Sequence, residues 1–134
     1  MDGFEVTRIG TRCHVFSFDG LAGFSPSNVA VIIGETRAFF VDTYLGPSCM
    51  ARIHQHLVGK LDGKHVVVFN THSDWDHVWG NSYFKDATIV SHALTKALLV
   101  KNGPRELQEN KHYHDGTIDL IASGGFVKTS LFLN

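Results

Sequence analysis

Five consecutive residues, His65-Val66-Val67-Val68-Phe69, constrain this chain more than any other feature. The run is short, nearly continuous in apolar side chains and rich in β-branched residues, which predicts a strand buried on both faces. Such strands belong to sheets covered by helices, and in open α/β sheets ligands bind beyond the carboxyl ends of the strands. Asn70-Thr71-His72 begins at that point, so chemistry is expected in the residues that follow.

Those residues run His72-Ser73-Asp74-Trp75-Asp76-His77-Val78-Trp79-Gly80-Asn81, with four potential metal ligands in six positions. In an extended backbone His72 and Asp74 project to the same side at i,i+2 and can share one ion. Asp76 and His77 would point apart in a strand, but a tight turn into a helix lets both face one cavity and serve a second, neighbouring ion. Mixed imidazole and carboxylate donors suit zinc, and also iron or manganese. The bland alternative is a polar loop in which Asp76 caps a helix starting near His77 and the other groups are solvated. Four ligand-type side chains at this density, directly after a buried strand, favour the metal site.

Around this stretch the pattern alternates strands and helices. Val15, Phe16 and Phe18 end at the turn Asp19-Gly20, and residues 28–33 end at Gly34, which makes a strand pair. Gly34-Glu35-Thr36-Arg37 is then the polar tip of a hairpin whose second strand is Ala38-Phe39-Phe40-Val41-Asp42. Pro47 suits a first helical position, and Met50, Ile53, Leu57 and Leu61 repeat at helical spacing after it. His54 and His56 lie i,i+2 on that helix, which splays them apart as surface residues rather than ligands. A short helix is expected over 78–84, a strand over 87–91, and a helix over 93–100 with Leu94, Ala97 and Leu98 on one face. Residues 101–116, broken by Gly103-Pro104, read as a polar surface excursion, helical in part around 105–109. Residues 118–121 and 126–133 read as strands on either side of Gly124-Gly125. An apolar strand at 126–133 calls for a partner at its edge, either further chain or a second subunit.

Composition narrows the partners. A length of 134 residues fits a single domain over 1–134, and a formal net charge of −1 provides no basic surface for nucleic acid. The amino-terminal stretch carries Asp2 and Glu5 and lacks the apolar segment of a secretory signal. The apolar runs at 29–33 and 66–69 are far short of the roughly 20 residues that cross a bilayer. Cys13 and Cys49 are isolated and read as buried thiols of a reduced compartment. The expectation is a cytoplasmic protein that meets a small-molecule substrate or another protein, without nucleic acid or membrane.

Residues 72–77 resemble the metallo-β-lactamase superfamily motif His-x-His-x-Asp-His, which follows a buried strand and leads into a helix. The resemblance covers about residues 28–99 and includes Val41-Asp42-Thr43, the helix after it, the strand ending Asn70-Thr71, and Gly80-Asn81. It implies an α/β (α+β) fold of sheet and helix layers, of which this chain resembles only the first half of the αββα sandwich, a truncated or incomplete domain. Position by position, His72 matches the first histidine, a ligand of the first metal, and Asp76 and His77 match the pair that binds the second. Asp74 is a departure, since the family has histidine there; aspartate coordinates through oxygen, as a harder donor with an extra negative charge. The resemblance implies Zn2+, one or two ions, with iron or manganese as alternatives. The family's later histidine, bridging aspartate and final histidine have no match in context. His92 stands at a strand end where the family often has a non-ligand histidine, and His112 and His114 lie in the polar excursion.

Two functions follow. One is a metal-dependent hydrolase in which His72, Asp74 and His77 hold metal while Asp76 binds metal and orients the nucleophilic water, its substrate a lactam, thioester, phosphodiester or lactone. Trp75 and Trp79 then line the cavity mouth, or else pack in the core or between subunits. The other is a non-catalytic or degenerate metal-binding half-domain that completes its fold by dimerisation, because a half-fold leaves an apolar sheet face uncovered. A homodimer or a missing carboxyl-terminal half would supply the cover.

Overall fold

The computed structural model describes residues 3–19, 26–113 and 131–133. In chain order the elements are β1 (Phe4–Ile9), β2 (Cys13–Phe18), β3 (Ser27–Ile33), β4 (Arg37–Val41), α1 (Pro47–His56), β5 (His65–Phe69), α2 (Trp75–Val78), β6 (Thr88–His92), α3 (Ala93–Asn110) and β7 (Leu131–Leu133). One sheet takes all seven strands in sequence order. It is antiparallel from β1 to β4 and parallel from β4 to β7. The change comes where α1 first intervenes, because parallel neighbours need a crossover while antiparallel ones need only a turn. The expected hairpin is present, with Ile32 opposite Phe39 and Ile33 opposite Ala38.

Alternation along the strands builds the core. Phe16, Phe18, Val29, Val31, Phe40 and Val68 lie on one face of the sheet, and α1 lays Met50 and Ile53 over them, with Leu57 just past its end. Leu61, expected on the helix, lies beyond its end at His56 but is still buried. The first strand was not expected: only Phe4 and Val6 pack inward, a signal too short to read alone, and pairing of Phe4 with Phe18 and Val6 with Phe16 fixes it.

Two expectations are corrected. β5 is central, yet it is not buried on both faces: Val68 is enclosed while Phe69 is 37% exposed, beside Phe39 at 39% and Ile32 at 40%. Among the described residues, helices cover one face only. The second correction concerns α3, which runs unbroken through Gly103-Pro104 and buries Thr95, Leu99, Gly103 and Leu107, leaving Leu94 exposed. Proline removes one helical hydrogen bond, but the freed carbonyl of Val100 sits on an exposed turn where water can satisfy it. Packing of Leu99 and Leu107 against Val78 and Trp79 holds the helix on either side. The expected strand at 118–121, the turn at 124–125 and most of 126–133 lie outside the described residues; 131–133 is β7, which pairs with β6 and is the last strand of the sheet among the described residues.

His14 sits on the core side of β2, where burial, reinforced by the charges of Lys60, Arg8 and His56, pushes its pKa below the ordinary imidazole value. The unfolded chain protonates this residue near pH ~6.5 while the folded chain resists, so its contribution is lost as pH falls through that value. A His14→Gln variant is expected to lose less stability than the parent between about pH 7 and 5, read from urea midpoints at each pH.

Candidate metal centre

The centre forms where β4 and β5 end side by side. After Val41 the chain passes through Asp42 at φ 63° and Tyr44 at φ 52°, left-handed conformations that aspartate tolerates better than most residues. The turn aims the nearly buried Asp42 carboxylate across at the loop after β5. Its Oδ1 accepts the Thr71 backbone N–H at 2.8 Å, and its Oδ2 accepts the Thr71 hydroxyl at 2.7 Å and His77 Nδ1 at 2.9 Å.

These bonds fix both imidazoles. Thr71 Oγ1 spends its single proton on Asp42, so toward His72 Nδ1, 2.8 Å away, it acts as acceptor. His72 and His77 therefore both carry their protons on Nδ1, and each leaves its Nε2 lone pair for a metal ion, the arrangement outer partners impose on metal-bound histidines. The two rings lie 4.1 Å apart. Burial alone would lower the pKa of His77, but the Asp42 hydrogen bond and charge, with Asp76 and Asp74 adding to them, outweigh it and raise the value.

Each carboxylate of the loop stands beside an imidazole. His72 Nε2 is 3.3 Å from Asp74 Oδ2, and His77 Nε2 is 3.7 Å from Asp76 Oδ2. A tetrahedral ion with bonds of roughly 2.0–2.1 Å separates its ligand atoms by roughly 3.3–3.4 Å, so these donor pairs fit zinc with little movement. Asp42, His72 and His77 also each offer a ligand atom within 4.8 Å of the others. Asp42 was visible in the sequence only as a strand end; its signal is that β4 and β5 are parallel neighbours, so their carboxyl ends meet. Asp74 is the most solvated of the group. It holds the N-cap position of α2 without a capping bond from its side chain, and Asp76 lies inside the helix rather than capping it.

A buried frame holds the loop. Thr43 N donates to the His77 carbonyl, Thr43 Oγ1 donates to Asn81 Oδ1, and the amides of Asn70 and Asn81 bond each other in both directions. Trp79 is fully buried with Leu99 and Leu107, while Trp75 packs on Trp79 and stacks on Tyr113 beside the loop. The other histidines stand apart: His14 is buried on β2, His54 bonds Tyr83, His56 packs on Phe4 and Phe16, His65 bonds Thr88, His92 caps α3, and His112 packs on Tyr113. His114 is outside the described residues.

Asp42→Asn tests the frame. Its amide would donate to His77 Nδ1 and move the ring proton to Nε2, the atom the ion needs. Zinc affinity is expected to fall about 10–100-fold by competition with a chelating dye, with the fold retained by circular dichroism.

The family model described as the metallo-beta-lactamase superfamily matches residues 22–131. No curated protein matches the sequence. Among solved structures, a metallo-beta-lactamase from Pontibacter korlensis aligns over 75% of this chain and 48% of its own, at 21% identity and a TM-score of 0.65. The enzyme TMB-1 aligns over 77% and 49%, at 25% identity and 0.65. FIM-1 from Pseudomonas aeruginosa, in its mono-zinc form, aligns over 75% and 47%, at 19% identity and 0.60. The chain spans about half the length of these structures.

Proposed function

The chain belongs to the metallo-beta-lactamase superfamily, and from that membership we propose that it is a metal-dependent hydrolase of a small molecule, with His72, Asp74, Asp76 and His77 as its metal-binding side chains. The observation that carries this reading is the pair of imidazoles whose Nδ1 atoms are both tied to the Asp42–Thr71 system, so that two Nε2 atoms face two carboxylates. Zinc, one or two ions, is favoured over iron or manganese; when bound it polarises a substrate oxygen and makes water acidic enough to ionise near neutral pH. His72 and His77 bind through nitrogen and Asp74 through oxygen. Asp76, held close to His77 and only 23% exposed, also orients the nucleophilic water and accepts its proton. Among the described residues no helix is long and apolar enough to cross a membrane. Cys13 and Cys49 are both free thiols, and a cytoplasmic setting is part of the proposal.

The experiment is a screen of lactam, thioester, lactone and phosphodiester substrates with the parent chain and Asp76→Asn. Hydrolysis is expected to fall at least about 100-fold in the variant with metal partly retained. Full activity in Asp76→Asn would remove the assigned role.

A second reading is supported by the exposed apolar residues Ile32, Phe39 and Phe69 on the open sheet face. In it the chain is a degenerate metal-binding half-domain whose open sheet face is covered by a second copy. Stoichiometric metal without hydrolysis of any substrate class, in a chain of dimeric native mass, is the outcome it predicts.

A further inference from the structure

A cavity of about 420 Å3 opens at the other end of the sheet, where β5 and β6 begin. The metal loop follows the carboxyl end of β5, and five residues rising roughly 3.3 Å each put the two places on the order of 15 Å apart. The volume lies within the range of small-molecule sites, which pair an apolar body with a few polar groups. Here Leu61, Val66, Phe84 and Ala87 supply the apolar part, packed into the main core. Lys64 stands on the lining, and the partners of its ammonium are backbone carbonyls rather than a carboxylate.

Two hydrogen-bond donors are left over by the local bonding. The Lys64 ammonium gives two of its three N–H groups to the carbonyls of Gly34 and Glu35, at 2.6 and 2.9 Å, which anchors it and leaves one. His54 Nδ1 and Tyr83 Oη are 2.9 Å apart. If tyrosine donates, a neutral His54 keeps its proton on Nε2; if histidine donates, the tyrosine hydroxyl proton is left. Either way the pair retains one donor. Burial pushes the Tyr83 phenol up, so it stays protonated.

We propose that this cavity binds an amphipathic monocarboxylate, its hydrocarbon part against Leu61, Val66, Phe84 and Ala87 and its carboxylate on Lys64 and the His54–Tyr83 pair. An apolar lining selects a hydrophobic body, and the Lys64 ammonium with the spare donors selects a single anionic head. The site is independent of metal and of the reaction at the other end of the sheet.

The test is a titration of the 15N-labelled chain with octanoate, followed by amide shifts, with 1-octanol as the uncharged counterpart. Saturable shifts centred on Leu61, Lys64, Tyr83 and Ala87 are expected. 1-Octanol, and octanoate with Lys64→Gln, should each bind about tenfold more weakly, as expected for loss of one charge-assisted hydrogen bond. Should Lys64→Gln loosen the hairpin it anchors, the double variant His54→Ala/Tyr83→Phe, which removes the spare donor of that pair altogether, is expected to show the same direction of change. No saturation, shifts centred on the metal loop or the open sheet face, or equal affinity for 1-octanol would overturn the proposal.

Discussion

Gly80→Ala is expected to destabilise the chain by roughly 3–5 kcal/mol, a large share of the roughly 5–15 kcal/mol that holds a domain of this kind folded. A Cβ at this position would overlap the Thr43 carbonyl oxygen and lie 2.7 Å from both Thr43 Cβ and Met50 Cγ. Met50 has flexible torsions, but Thr43 does not give way. It lies between Asp42 and Tyr44, both held at positive φ, and its N–H is bonded to the His77 carbonyl at 2.8 Å. Relief must come from displacing the segment after α2, which breaks the Thr43–Asn81–Asn70 bonds and leaves buried amides without partners. Urea denaturation followed by circular dichroism measures the effect. An unchanged midpoint would mean that Gly80 does not pack on Thr43 as described.

His77→Ala is expected to lower zinc affinity by about 1,000-fold or more, on the order of 4 kcal/mol, and to destabilise the metal-free chain as well. The first effect follows from loss of a ligand whose orientation is fixed. The second follows from Asp42, which would keep a nearly buried carboxylate with one fewer donor. His72→Ala separates the two: its side chain is 45% exposed, so zinc binding should drop with little change in stability. Protons should compete with zinc more strongly at His77 than at a free imidazole, because its pKa is raised; uptake weakens as pH falls. Equal zinc affinity in parent and His77→Ala, by competition with a chelating dye, would remove His77 from the centre.

The parts of this account that were legible in the sequence share a local cause. The hairpin of β3 and β4 is signalled by a polar tip between apolar runs, α1 by Pro47 and its apolar spacing, and β5 by a β-branched run. The density of His72, Asp74, Asp76 and His77 is likewise local. What was not legible depends on pairing across the chain. β1 is specified by register with β2 rather than by its own pattern, and α3 persists past Pro104 because Leu99 and Leu107 pack on Trp79. The apolar run of β5 predicts two covered faces, but such a run reports a central strand, not how many layers are laid over it. Asp42 is 35 positions from His77, and only the parallel alignment of β4 and β5 brings its carboxylate to that ring.

Whether the loop at residues 72–77 is a metal centre is decided by elemental analysis of the purified chain, with native mass determined on the same sample. Near-stoichiometric zinc is expected, restored on reloading after chelation and absent from His77→Ala. A parent chain that is folded, holds no metal and cannot be reloaded with zinc, iron or manganese would contradict it.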